Sequence, residues 1–375
     1  MSTTRSGSTN LLRFQKNSQL KRQLADTIRM DECGRLLLDT VMTEQSNNPV
    51  VDDTPPQMPA WSRYAGQPVD VSRRRSISVR NAPTDRSSKD LSQLTVDYFL
   101  HESTFRTAVI PLNNVSEVFG QAFNFSAAKT RTTASGTEII HNKHGLPKRK
   151  VPILNHVQSR FQFQPGKGIQ LYALHTTDFS TPIATIDDFV YSLEVTGPHG
   201  VKFNLSDGLR GNLLSAHRML STHEMIFERL VVENQTLTES PPLPLDNFAK
   251  RALLFESLLR SHRAGLGEPY YLYRVCGTNN CTSNPFQILD RVVQYSPLER
   301  IGALLYRLPL NPRFYLRVRG LDTNPNQRQL VRTEFLQYIN HPDTQARKRE
   351  HVTRINAARK ARRSKAESHS SDTSD

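Results

Sequence analysis

Cysteine is scarce in this chain. Three thiols in 375 residues, an odd number, do not make a disulfide framework, so a reducing compartment is the default. No stretch nears the roughly 18 to 20 consecutive apolar residues that cross a bilayer. The opening residues, Met1-Ser-Thr-Thr-Arg-Ser-Gly-Ser8, lack the apolar core of a secretory signal. Cytoplasmic residence is the default expectation, with export by a non-classical route left open. There is no Gly-rich phosphate loop, dinucleotide fingerprint or zinc-helix His-Glu pair. Cys276 and Cys281 have no nearby His or Cys to complete a zinc-like spacing. Neither a metal nor a cofactor is expected.

Acids are also in deficit. Asp and Glu number 35 against 49 Lys and Arg, a formal charge of +14. The surplus is uneven. Between Arg347 and Lys365 stand Arg347, Lys348, Arg349, Arg354, Arg359, Lys360, Arg362, Arg363 and Lys365, with one acid, Glu350. Smaller clusters are Arg73-Arg-Arg75 and Lys148-Arg-Lys150. Such blocks attract polyanions: nucleic acid, an anionic membrane or an acidic protein face. The plainer alternative is a solvated tail that keeps the chain soluble.

Composition divides the chain into three. Residues 1–95 read as a mostly disordered leader, with six prolines among Ser, Asp and Arg over 46–95. Within it, the apolar positions of 11–42 fit an amphipathic helix, beside or within which Cys33 packs. Residues 96–340 read as one folded α+β domain. Residues 341–375 form a basic tail, disordered or helical. Inside the domain, Leu94–Leu100 and Thr107–Pro111 read as strand or short helix, and Phe189–Val195 as a strand. Residues 209–230 read as helical. A helix is expected from Asp246, a good N-cap, to about Gly265, burying Phe248, Ala252, Phe255, Leu258 and Leu259. Short elements are expected at 301–306, 314–318 and 329–340.

The most specific chemistry lies in Tyr270-Tyr-Leu-Tyr-Arg-Val-Cys-Gly-Thr-Asn-Asn-Cys-Thr-Ser-Asn-Pro-Phe-Gln-Ile-Leu289. It reads as an aromatic strand, with Cys276 at a buried position, a polar turn, and Cys281 at the start of a helix. Pro285 falls in the first helical turn, where a missing N–H costs nothing. A thiol there feels the positive end of the dipole and unpaired amides, which favour the nucleophilic thiolate. Such a thiol needs a base. Val151–Phe163 and Ile169–Thr176 read as a hairpin about Pro165-Gly-Lys-Gly168, which places His156 and His175 at one end of one ribbon. The plain reading is two ordinary polar residues at strand ends.

A His-bearing strand, a helix and an aromatic-strand–Asn-Cys-Thr–helix segment, in that order, resemble the circularly permuted papain-like thiol enzymes. Over residues 151–294 the chain resembles the bacterial lipoprotein intramolecular transacylase domain family, and more distantly lecithin retinol acyltransferase. The resemblance implies an antiparallel sheet packed on helices. It implies Cys281 as nucleophile, His156 as base, His175 as a second histidine, and Asn280 for orientation or oxyanion support. The implied activity is an acyltransferase or hydrolase acting through an acyl-thioester on an ester, thioester or amide, with an acyl-bearing substrate. The competing class is a non-catalytic basic protein that binds nucleic acid, an anionic membrane or a protein partner on the same scaffold.

Overall fold

The structure is a computed structural model that describes residues 29–30, 36–37, 56–80, 92–124, 126, 128–133, 136–142, 147–151, 155–274, 278–303, 312–322 and 329–371. It divides into two compact units. The smaller comprises Met1–Thr54 and Arg274–Thr278. Its described strands, β1 (Arg29–Met30) and β2 (Leu36–Leu37), pair antiparallel. These four residues are extended, not part of the helix expected over 11–42. Cys33 and Cys276 lie outside the described residues.

The larger unit begins at Pro55, well before the boundary expected near 96. Met58, Val69 and Ile77 of its first stretch are buried. Its strands are β3 (Ser78–Val79), β4 (Gln93–His101), β5 (Thr104–Pro111), β6 (Val115–Asn124), β7 (Thr130–Thr133), β8 (Gly136–Ile139), β9 (Asn155–Phe163), β10 (Ile169–Tyr172), β11 (Ala184–Ile186), β12 (Asp188–Thr196), β13 (Leu214–Ser221), β14 (Leu237–Glu239) and β15 (Gln329–Leu330). All but β7 and β8 join one sheet in the order β11-β10-β5-β4-β13-β12-β9-β6-β14-β15, with β3 also on β4. A parallel contact, Leu220 with Leu100, links two antiparallel halves. Three chain segments cross from one half to the other at corners: β5 to β6, β9 to β10, and β11 to β12. Because β12 continues β11 after the single residue Asp187, the sheet curls back on itself.

That topology overturns the hairpin between His156 and His175. Both edges of β9 are taken, one by β6 and the other by β12. β10 instead pairs with β5 and β11. The segment 164–168 turns the corner at Gly166 (φ +70°). A Cβ on Gly168 would lie 2.1 Å from the Ile186 carbonyl oxygen, so glycine permits the close passage there.

The helices are α1 (Leu205–Arg210), α2 (Thr222–Ile226), α3 (Asn247–Ala264), α4 (Ser283–Val292), α5 (Pro297–Ala303), α6 (Pro312–Arg317), α7 (Val331–Glu334), α8 (Leu336–Asn340) and α9 (Pro342–Ser371). A π-helical turn, Phe227–Val232, continues α2. Of residues 209–230, expected to be helical, 222–230 are helical while 214–221 form the strand β13. Every residue of β13 is buried, so its sequence has no alternation to betray a strand. Asp246 caps α3 as expected, its side chain accepting from the Ala249 amide at 2.7 Å. α3 buries Leu253, Leu254, Ser257, Leu258, Leu259, Ser261 and Ala264, so Leu258 and Leu259 are inside as expected, while Phe248 is exposed. Small serines let the helix sit close: the Ser261 hydroxyl accepts from Ile77 N and donates to His217 O. The aromatic segment Tyr270–Tyr273 makes a single isolated bridge, Tyr271 with Asn279, rather than a strand.

Two cores result. Val157, Phe161, Phe189 and Tyr191 pack with Leu254, Leu258, Phe286, Leu289 and Tyr315. Phe123, Val190 and Leu220 pack with Met225, Phe227, Leu230, Val331 and Ile339. Among the described residues, no helix is long and apolar enough to cross a membrane.

Candidate functional site

Cys281 sits two residues before α4, whose N-cap is Thr282. The helix amides expected to stabilise a thiolate are taken by Asn280. Its Oδ1 accepts from Thr282 N and Ser283 N, both at 2.8 Å, and its Nδ2 donates to Leu272 O at 2.7 Å. Asn280 is fully buried and serves as the structural cap of this turn. The thiol itself is 2% exposed. It donates weakly to Asn155 O at 3.9 Å, with Tyr270 and the Val157 amide nearby. Burial pushes the thiol up to about 11, and Glu194 adds to the rise against hydrogen bonds that oppose it. The ionised thiol expected at this helix start is therefore not formed at neutral pH.

His156 is on β9, next to the backbone that touches the sulfur, but it makes no hydrogen bond or ion pair with Cys281. Its Nε2 lies 2.8 Å from Ser192 Oγ and 3.7 Å from Glu194 Oε1. Its ring stacks on Phe123, centroids 4.6 Å apart. The Ser192 hydroxyl donates to Glu194 at 3.0 Å, so its oxygen accepts from His156 Nε2–H. Burial lowers the imidazole to about 4 and keeps it neutral, although Glu194 opposes this. His175 is elsewhere, beyond the end of β10 in a left-handed conformation (φ +62°). Its Nδ1 is 3.3 Å from Asp97, which also holds Arg80 through two hydrogen bonds. It braces that cluster and is not paired across from His156.

The polar side of β9 and β12 holds what the sequence did not reveal. His156, Gln158 and Arg160 alternate with core residues and are buried, as are Ser192 and Glu194. Arg229 and Arg218 face Glu194, Arg218 clasps Glu228 through two hydrogen bonds, and Arg160 meets Asp188, Glu239 and Glu334. Burial alone would raise Glu194; the charges of Arg229 and Arg218 hold it well below the usual carboxylate range. The polar alternation along β9 was the only signal, and it is equally what a solvent-facing strand would show. Among the described residues, no group of three His, Cys, Asp or Glu is placed to hold a metal.

The basic tail is helical, as α9. Its first turns dock. Arg347 pairs with the buried carboxylate of Glu224, donates to Ser103 Oγ at 2.7 Å, and lies 3.8 Å over the Phe227 ring. Arg347 therefore belongs to the fold and not to a free polyanion surface. Lys348 is half-buried, and Arg349 and Arg354 are exposed. Beyond residue 357 the backbone stays helical through Arg359, Lys360, Arg362, Arg363 and Lys365.

Comparison with protein families, with curated proteins and with solved structures finds nothing that matches this chain.

Proposed function

We propose that the chain is a non-catalytic binding protein that holds nucleic acid by its phosphates, through α9. The observation that carries this reading is a continuous 30-residue helix, anchored at its base, that bears eight further Lys or Arg between 348 and 365 against one acid. At 1.5 Å per residue the helix is about 45 Å long, enough to follow several phosphates. Nucleic acid is favoured over an anionic membrane. An interfacial helix needs an apolar face of Trp, Phe or Leu, and residues 347–365 contain none of these.

The test uses the full chain and a variant with Arg354, Arg359, Lys360, Arg362, Arg363 and Lys365 each changed to Gln. Binding to a labelled single-stranded oligonucleotide and to phosphatidylserine vesicles is measured at about 0.1 M salt. The reading expects oligonucleotide affinity to fall at least tenfold in the variant. Equal affinities, or affinity for vesicles alone, would sink it.

The second reading is a permuted papain-like thiol enzyme acting on an acyl-bearing substrate. What supports it is the sulfur of Cys281 lying against the strand that carries His156, two residues before a helix. What weighs against it is a buried neutral thiol that lacks a base. Turnover of an activated ester that is lost in Cys281→Ser would favour it.

A further inference from the structure

A second basic element forms a separate two-stranded sheet and has no part in the fold's cores. β7 and β8 pair from Thr130↔Ile139 to Thr133↔Gly136. The ladder is extended at its base, where Lys129 N donates to Lys148 O and Ile140 N donates to Lys129 O. Between residues 128 and 151, none of the described residues is buried. A two-stranded ribbon without an apolar face is marginal in water, so packing does not explain its presence. Its composition is one-sided: six Lys or Arg between 128 and 150 against one acid, Glu138. Glu138 lies opposite Arg131 across the ladder, 3.3 Å from its guanidinium, with both side chains mostly exposed. Lys129 and Arg131 are two residues apart on one strand and so share a face, about 7 Å apart. That is close to the spacing of neighbouring phosphates on an extended nucleic-acid strand. Thr130, Thr132 and Thr137 supply hydroxyls on the other face.

We infer that this β-arm, β7 and β8 with the flanking Lys129, Lys148 and Lys150, is a second nucleic-acid contact, in which Lys129, Arg131, Lys148 and Lys150 bind backbone phosphates independently of α9. The inference rests on the proposed nucleic-acid reading and adds to it a distinct surface. Phosphate contact of this kind is insensitive to sequence and weakens steeply with salt. Because none of the arm's described residues is buried, neutralising it leaves the cores untouched.

The experiment compares four proteins: the full chain, the six-site α9 variant, an arm variant (Lys129→Gln, Arg131→Gln, Lys148→Gln, Lys150→Gln), and the two combined. Each is titrated with a fluorescent single-stranded oligonucleotide of about 30 nucleotides, and with its duplex, across a salt series. The arm variant is expected to reduce the log–log salt slope for the single strand by up to about 3, and by a similar amount with or without the α9 substitutions. An unchanged slope in the arm variant, alongside a reduced slope in the α9 variant, overturns the arm proposal and leaves the α9 reading standing. Absence of binding by the full chain overturns both. Acetylation of the unmodified protein provides a check that needs no variant. Lys129, Lys148 and Lys150 are expected to be protected by the oligonucleotide, and equal modification with and without it overturns the proposal.

Discussion

Replacing Arg347 with Met tests whether the base of α9 is part of the fold. The Glu224 side chain is fully buried, and Arg347 reaches it from α9 while Arg73 approaches at 2.8 Å. The Ser103 amide also donates to Glu224, at 2.9 Å. Losing a charge-assisted hydrogen bond costs about 1.5–3 kcal/mol. Losing the guanidinium over Phe227 costs about 0.5–2 kcal/mol. Methionine refills much of the space and returns part of this. Glu224 also keeps Arg73 and Ser103, so the full penalty of an abandoned buried charge, about 3–5 kcal/mol, is not reached. The expected net loss is about 2–3 kcal/mol, read as a lower urea midpoint at unchanged slope. A cycle with Glu224→Gln should give a coupling of about 1–2 kcal/mol. Oligonucleotide affinity should barely change, since only one cation is lost and it is already paired. Stability within about 0.5 kcal/mol of the parent would refute the docked helix base.

Cys281 should resist iodoacetamide in the native protein at neutral pH and react once the protein is unfolded, by mass spectrometry; rapid native labelling would contradict its burial and raised pKa. Asn280→Ala should lower stability by about 2–4 kcal/mol in urea titration, because it orphans two buried amides and a buried carbonyl; a change under about 0.5 kcal/mol would remove its capping role. His156 is held near 4 in the fold against about 6.5 when unfolded, so the unfolded state takes up its proton first as pH falls. Its contribution to stability is therefore complete above pH 6.5 and drains away between 6.5 and 4, by on the order of 3 kcal/mol. His156→Gln should flatten that part of the stability–pH curve, and an unchanged slope would mean the imidazole is not buried neutral.

Local signals were legible where one residue sets one feature. Asp246 marked the start of α3, and Pro285 with Phe286, Ile288 and Leu289 marked α4. The α+β character and the strand around Phe189 followed from apolar runs of strand length, while the runs at Leu94 and Thr107 left strand or short helix open, which the pairing of β4 with β5 decides. What failed depended on pairing between distant segments. Pro165-Gly-Lys-Gly168 looks the same in a hairpin as in the corner between β9 and β10, and only β6 and β12 decide which it is. β13 is buried on both faces, so periodicity could not separate it from a helix. Around Cys281 the helix start was readable, but the ionisation state was not. It depends on Asn280 taking the amides and on Tyr270 and β9 closing over the sulfur. His156, Gln158 and Arg160 give the alternation of a strand with a wet face. The turn 222–232 and α7, from a different part of the sequence, cover that face with partners of opposite charge.

The central claim is that nucleic acid is held by the basic helix and not at the thiol. Photocross-linking with an oligonucleotide carrying thiouridine, followed by peptide mapping, tests it most directly. The account predicts cross-links in peptides from 348–365, lost as salt rises to about 0.5 M, and none in peptides spanning Cys281. Cross-links confined to peptides from 155–163 and 279–292, around Cys281 and His156, would contradict it.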